Sequence, residues 1–264
     1  MMRRRVRDPE IIAREQTLRA WLTSGRDDVL QRIDGLDIGW GGVQRWGTAK
    51  MPDVGTGRHL DFACGVGTFL AQVGWRFPNA ELVGLNIDFA GPHEPIRGLL
   101  LRAGVQSDLV RADARRMPFG DDAFDSASCF LGLQDIEIGF GDDGVRAAVW
   151  EATRVLRPNA AVTLLDTFSF ARFDRLLRES SLQVTDRAER ALAVRWSRPV
   201  AERAIELYAD GWADQARVSD LKERERIRSR AARRLKADLA RQLASTGFFV
   251  PFGPVRMVVA RKRA

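Results

Sequence analysis

Cysteine is scarce: the 264 residues hold two, Cys64 and Cys129. That is too few for a disulfide framework or a cysteine-based structural zinc site, and a reducing, cytoplasmic setting is expected. Long apolar runs are missing as well. No stretch approaches the roughly 18 apolar residues of a membrane span, and Met1-Met2-Arg3-Arg4-Arg5 runs into Asp8-Pro9-Glu10 without the apolar segment of a secretion signal. Neither a span nor a Sec-type signal is expected. There are only two histidines, His59 and His93, and one tyrosine, Tyr208. Both histidines read first as surface residues at a strand or helix start, with His93 kept as a candidate base. Internal repeats and low-complexity linkers are absent. With 45% hydrophobic and 29% charged residues, the chain can bury one large core with a smaller helical addition.

The net charge of +7 is local. Residues 221 to 264 hold 13 Lys/Arg and 3 Asp/Glu, a surplus of 10, which leaves 29 basic and 32 acidic residues (42 − 13 and 35 − 3) before them, a net of −3. A nucleic-acid-binding domain more often spreads basic residues over its main face, so a nucleic-acid partner is the less favoured expectation.

Asp8 as an N-cap with Pro9 at the first helical position opens an amphipathic helix to about Ser24. Residues 35–57, rich in Gly and Trp without either period, read as an ordered loop. From His59 onward, short apolar runs alternate with helix-length segments. Strands are expected at 59–63, 81–86, 106–111, 124–131 and 160–166, with helices after the first and second of them and over 144–156. A helix over 170–180 and a strand over 182–194 follow. This repeated βα pattern predicts a doubly wound, mostly parallel seven-stranded α/β sheet. Two helices follow from Pro199 to about 216 and from 218 to 244, the second with Ile227, Ala231, Leu235, Leu239 and Leu243 as one apolar stripe ringed by arginines. Tyr208 and Trp212, four apart, read as packing residues. A kinked strand over 248–261 ends the pattern. The expected organisation is an N-terminal helical arm at 1–50, a core at 51–195 with 246–264, and a helical cap at 196–245.

Chemistry centres on Asp61-Phe62-Ala63-Cys64-Gly65-Val66-Gly67. Glycines there let the backbone turn tightly and a ligand approach, while the following helix presents free N–H groups. Alone the pattern is weak: Ala63 stands where a dinucleotide fingerprint has its first glycine, and no phosphate-binding lysine follows. Its weight comes from the spacing of Asn86-Ile87-Asp88 at the second strand's end, Asp113-Ala114, Pro118-Phe119, Phe124-Asp125 and Val155-Leu156-Arg157-Pro158-Asn159. Cys64 and Cys129 read as small core residues, because no cation beside them in sequence activates a thiol.

In combination these residues resemble the class I, Rossmann-like S-adenosylmethionine-dependent methyltransferases, in the branch of ubiquinone-biosynthesis-like and sterol-methyltransferase-like small-molecule enzymes. The resemblance covers residues 59–168 and, more weakly, the final strand. It implies S-adenosylmethionine as cofactor and S-adenosylhomocysteine as product. Gly65 and Gly67 would pass the methionine part, Asn86 would bind the ribose, and Asp113 the adenine amino group. Trp40 in Ile38-Gly39-Trp40 would cover the cofactor, with Asp61, Ala63, Cys64, Ile87, Ala114 and Phe130 in the same site. Two departures stand out. Asn86 replaces the usual carboxylate, for which Asp88 could substitute. Gly132-Leu133-Gln134-Asp135 stands where many relatives carry histidines, which makes Gln134 and Asp135, with His93, the candidate catalytic residues. Asp166, ending the fifth strand, is a further candidate contact. The Asn-Pro-Pro-Tyr element of base-amino and glutamine methyltransferases is absent.

Methyl transfer from a sulfonium is an in-line displacement, so positioning and water exclusion dominate and a base is needed only for a weak nucleophile. The resemblance implies a small acceptor, apolar or aromatic by the Trp and Leu content of arm and cap, and a homo-oligomer is compatible with it. Two alternatives stay open: an RNA methyltransferase using the basic 221–264 region, and a non-catalytic subunit of the same fold.

Overall fold

Extended segments of 4 to 11 residues, most with a short apolar run, can satisfy their backbone only by pairing with one another. In the computed structural model they do so as one seven-stranded sheet. The structure describes residues 42–65, 67–87, 93–191, 220–246 and 254–263, with 198, 201, 202, 205, 206, 209, 210 and 213. The N-terminal helix expected from Asp8, Trp40, Asp88, Tyr208 and Trp212 lie outside them.

The element order is α1 (Val43–Lys50), β1 (Arg58–Phe62), α2 (Thr68–Arg76), β2 (Glu81–Asn86), α3 (His93–Arg102), β3 (Asp108–Arg111), β4 (Phe124–Phe130), α4 (Gly132–Val155), β5 (Leu156–Asp166), α5 (Phe170–Arg178), β6 (Leu182–Arg190), α6 (Leu221–Thr246) and β7 (Val255–Lys262). In space the strands run β3-β2-β1-β4-β5-β7-β6. All are parallel except β7, which is antiparallel to both neighbours. The chain winds from β1 to one side and from β4 to the other, so the strand order reverses between β1 and β4. A sheet of this kind opens a crevice outside the carboxyl ends of those two strands. The core includes Leu60, Phe62, Leu85, Phe124, Leu133, Val162, Phe173 and Val258, all essentially without solvent exposure.

Three expectations are corrected. Residues 43–50 are a helix, not a loop. Apart from Val43, the side chains that α1 turns inward are small or polar, so no apolar stripe marks it: Gly47 lies so near Leu165 that a Cβ would meet its Cδ2 at 2.4 Å, and Gln44 donates to Thr68 Oγ1 at 3.0 Å. The helix expected at 144–156 begins twelve residues earlier, at Gly132, and is broken at Gly141, whose φ of 68° and ψ of −171° are non-helical. The glycines before that kink hide its first half from a periodicity reading. Finally, β5 starts at Leu156 rather than Ala160. Leu156 pairs with Phe124 and Ala161 with Ser126, so residues 157–160 bulge from the ladder, with Asn159 left-handed at φ 67°.

The chain divides into two compact units, one of residues 25–192 and 252–264, the other of residues 1–24 and 193–251. Within the second, Ala231, Ala232 and Leu239 of α6, flanked by Leu235 and Leu243, pack with Ala201, Ile205 and Ala209. Arg228 joins the same face through Glu206 at 2.7 Å and Asp210 at 2.8 Å. Among the described residues, no helix is long and apolar enough to cross a membrane.

Candidate functional site

The turn after β1 holds three left-handed residues at alternate positions: Ala63 (φ 57°), Gly65 (φ 53°) and Gly67 (φ 78°). Cys64 N–H donates to Leu85 O at 3.0 Å, fastening the turn to β2. Gly67 caps α2, and a Cβ on it would stand 3.1 Å from Ile96 Cγ2. A Cβ on Gly65 would meet nothing within 4 Å, so this peptide faces open space while its backbone disfavours any side chain. The turn thus presents bare backbone at the sheet's reversal point.

Ala63 in place of glycine has its explanation across the crevice. A Cβ on Gly132 would lie 2.5 Å from Ala63 Cβ, 2.9 Å from Cys129 Sγ and 3.3 Å from Ala63 O. The methyl of Ala63 thus occupies the room that a side chain at 132 would need. Gly132→Ala is expected to destabilise by about 1–3 kcal/mol through overpacking. Ala63→Gly in the same chain should recover part of that loss, by removing one clash and a left-handed alanine. A thermal-melt double-mutant cycle measures the coupling, and strict additivity would contradict the packing account.

Below the turn, β1 and β4 share a buried polar chain. His59 pairs in register with Ser126, and Asp61 with Ser128. Ser128 Oγ donates to Asp61 Oδ1 at 2.7 Å, so His59 Nε2 carries the proton it donates to Ser128 Oγ, 3.0 Å away, and Nδ1 accepts from Ser126 Oγ at 2.8 Å. Burial lowers the imidazole pKa to about 3. Burial also pushes Asp61 up to about 7, against the Ser128 hydrogen bond, which lowers it. His59, expected near the surface, is wholly buried: serines on β4 satisfy both its nitrogens. Asp61 is 1% exposed, and its Oδ2 is buried with no hydrogen-bond partner. A carboxylate oxygen left so is costly unless a donor or cation arrives.

At the end of β2, Asn86 and Ile87 are half-buried, and Asn86 O accepts from Ala112 N–H at 3.0 Å. Asp113 Oδ1 accepts from Arg115 N–H at 2.9 Å, and the Arg115 guanidinium spans both carboxylate oxygens at 2.6 to 3.0 Å. That guanidinium lies over the Phe140 ring, 3.4 Å from its centroid. Asp113 therefore holds its own turn while keeping part of its surface in solvent, with Ala114 buried beside it. Phe130, ending β4, stacks on Phe69 at 4.9 Å with planes 8° apart.

The candidate catalytic residues separate. Gln134 is engaged: its Oε1 accepts from Thr167 Oγ1 at 3.0 Å. Asp135 is open to solvent, yet the protein around it pushes its pKa up to about 6; access to water tempers that shift. His93 opens α3, and its side chain lies outside the described residues. Asp166 is fully buried and its task is structural. Helix α4 follows the left-handed Leu131 and has no side-chain cap of its own. Asp166 supplies one from β5, Oδ2 accepting from Gln134 N–H at 3.1 Å and Oδ1 from Thr167 N–H at 2.7 Å. Sequence reading missed His59, Ser126, Ser128, Arg115 and Phe140. Only the β1–β4 register brings the first three together, and Arg115 meets Phe140 only through the early start of α4. Both cysteines are buried free thiols whose pKa burial raises, which suits packing rather than nucleophilic work.

Residues 60–159 match the family model described as a methyltransferase domain. The chain is 32% identical over 144 residues to a demethylmenaquinone methyltransferase of Thermus thermophilus, covering 53% of this chain and 60% of that protein. It spans between about half and 60% of the length of the first curated relatives it matches. Among solved structures, a candidate methyltransferase from Bacillus halodurans superposes with a TM-score of 0.56 at 16% identity, covering 84% of this chain and 98% of that one. The [4+2]-cyclase SpnF does so with 0.52 at 17% identity, covering 84% and 80%. Residues 60–159 thus resemble a methyltransferase domain, the sheet has the Rossmann-like methyltransferase architecture, and the curated relatives matched carry quinone-biosynthesis names.

Proposed function

We propose that the chain is an S-adenosylmethionine-dependent methyltransferase whose acceptor is a small, apolar quinone-type ring. The observation that carries this reading is the unpartnered, buried Oδ2 of Asp61 near the end of β1, with the open Gly65 peptide four residues on at the strand-order reversal. A zwitterionic amino-acid moiety fits there: its ammonium would complete Asp61, and the bare turn with the N-terminus of α2 would receive its carboxylate. Asn86 and Ile87 would hold the ribose edge. Asp113 would accept the adenine amino group on the carboxylate surface that Arg115 leaves in solvent, with Ala114 and Phe130 as apolar walls. Ala63 and Cys64 shape the turn, and Trp40 is the proposed cover. When bound, the cofactor supplies a methyl group made electrophilic by a positively charged sulfur.

The protein's share is then to orient the acceptor and exclude water. Asp135 is the group best placed in pH range to take a proton from a ring hydroxyl or carbon acid, since a carboxyl near 6 is mostly ionised at neutrality yet more basic than an ordinary carboxylate. The quinone class is proposed from the curated relatives, and a cytoplasmic setting from the two free, buried thiols. SpnF shares the fold under the name of a cyclase, so methyl transfer needs a direct test.

Calorimetry with S-adenosylhomocysteine should show one site per chain. Asp113→Ala should weaken it by about 1–3 kcal/mol, the cost of leaving a buried amino group unpaired. Unchanged affinity in that variant would remove Asp113 from the site, and no heat with the wild type would remove the cofactor. Transfer of labelled methyl to a demethylated naphthoquinol but not to RNA decides the acceptor class.

A further inference from the structure

We infer that the outer face of α6 docks the protein on a membrane leaflet rich in anionic lipid headgroups. Lys222, Arg226, Arg230, Arg233, Arg234 and Arg241 are all exposed. At 100° per residue they fall within an arc of about 120°, opposite the face formed by Ala231, Arg228, Leu235, Leu239 and Ala232. The stripe extends about 28 Å along the helix axis. Within that arc the sequence places one acidic residue, Glu223, and Arg226 engages it at 3.3 Å. Among the described residues, Arg230, Arg233 and Arg234 have no ion-pair partner, in contrast to the inward Arg228, which is held by Glu206 and Asp210. The helix therefore neutralises the arginine it buries and leaves these outward ones uncompensated.

A row of outward cations held on a straight rod is complementary to an extended anionic plane, which all six can touch at once. Nucleic acid is the poorer match. Residues 221–246 include no aromatic side chain on which an unpaired base could stack, and the deep, narrow major groove of an RNA duplex does not admit such a helix. Residues 1–220, at net −3, would repel a polyanion drawn across them. The lipid choice also rests on the proposed quinone-type acceptor, because a lipophilic ring partitions into the bilayer and a docked enzyme meets it there. The arginines then set where the protein works rather than what it does.

Cosedimentation of the full chain with vesicles tests this, comparing phosphatidylcholine alone with phosphatidylcholine carrying about one quarter phosphatidylglycerol. Binding is expected only to the anionic vesicles, and it should fall steeply between roughly 50 and 500 mM salt. The reversals Arg226→Glu, Arg230→Glu and Arg233→Glu together should lower vesicle affinity at least about 100-fold, since each cation near such a surface contributes about fivefold. The matching lysine triple should retain binding within a few-fold, because charge rather than fork geometry is used. S-adenosylhomocysteine calorimetry on the same variants keeps the two readings apart: normal cofactor binding without vesicle binding overturns the docking surface alone. Equal binding to neutral vesicles, retention in the glutamate triple, or tight RNA binding by a wild type that ignores anionic vesicles would each overturn it too. Should the glutamate triple unfold, the glutamine triple gives the same comparison at half the charge change.

Discussion

Replacing Asp166 by alanine is expected to lower stability by about 2–4 kcal/mol, the sum expected for a lost helix cap and for backbone donors stripped of a charged acceptor. For a domain of this size that is a fall in midpoint of roughly 5–15 °C. The carboxylate closes the N-terminus of α4 from a neighbouring strand and fixes Thr167 behind it, so its loss frees both the helix start and the β5–α5 turn. Asp166→Asn should recover about half of the loss, since an amide keeps one acceptor and turns an N–H toward a donor. A midpoint within about 1–2 °C of wild type in the alanine variant would show that α4 starts without help from β5.

The second large effect is on ligand binding against pH. Burial holds Asp61 near 7, and a ligand ammonium at Oδ2 is satisfied only by the ionised form. S-adenosylhomocysteine affinity should therefore fall as pH drops from 7 to 5, approaching tenfold per unit, with proton release on binding visible as a buffer-dependent heat. Asp61→Asn should bind weakly at all pH values and lose the slope. A wild type with flat affinity across this range would sink the assignment of Asp61 to the ammonium.

The same groups set the stability of the free protein. The folded pKa values of Asp61 and Asp166, about 7, lie above those of unfolded carboxyls near 3.8, so their contribution falls as pH rises from about 4 through 7. His59, lowered to about 3 from 6.5, acts oppositely and costs stability as pH falls below 6.5. Two carboxyls outweigh one imidazole, so mild acidification from pH 8 to 6 should raise the midpoint of the ligand-free chain while it weakens the ligand. A melt series across that interval checks the sign.

What was legible in the sequence follows from which forces are local. A parallel strand such as β2 carries a short apolar run between polar ends, and the turn between β1 and α2 must be glycine-rich for steric reasons, so both announced themselves. Helix α1 did not, because beside Val43 its inward positions are Gln44, Gly47 and Thr48 rather than leucines. The first half of α4 was hidden for a related reason: its start is held by a carboxylate from β5, over 30 residues away, and no local cap marks it. For the proposed site, motif and resemblance named Gly65, Gly67, Asn86 and Asp113. The chain from Ser126 through His59 and Ser128 to Asp61 could be seen only once strand register was known, and the same holds for the exchange of volume between Ala63 and Gly132.

The antiparallel seam between β6 and β7 carries a consequence for modularity. Arg190, where β6 ends, is the register partner of Val255, where β7 begins. Residues 191–254 are therefore bounded by adjacent points of the sheet, so a short turn could join the two strands as a hairpin without altering any strand pairing. The excursion is topologically a graft: its length and sequence can be exchanged without rethreading the Rossmann-like core. A lineage could acquire, lose or swap this stretch in one step while the proposed cofactor edge, at β1, β2 and β4, stays as it is.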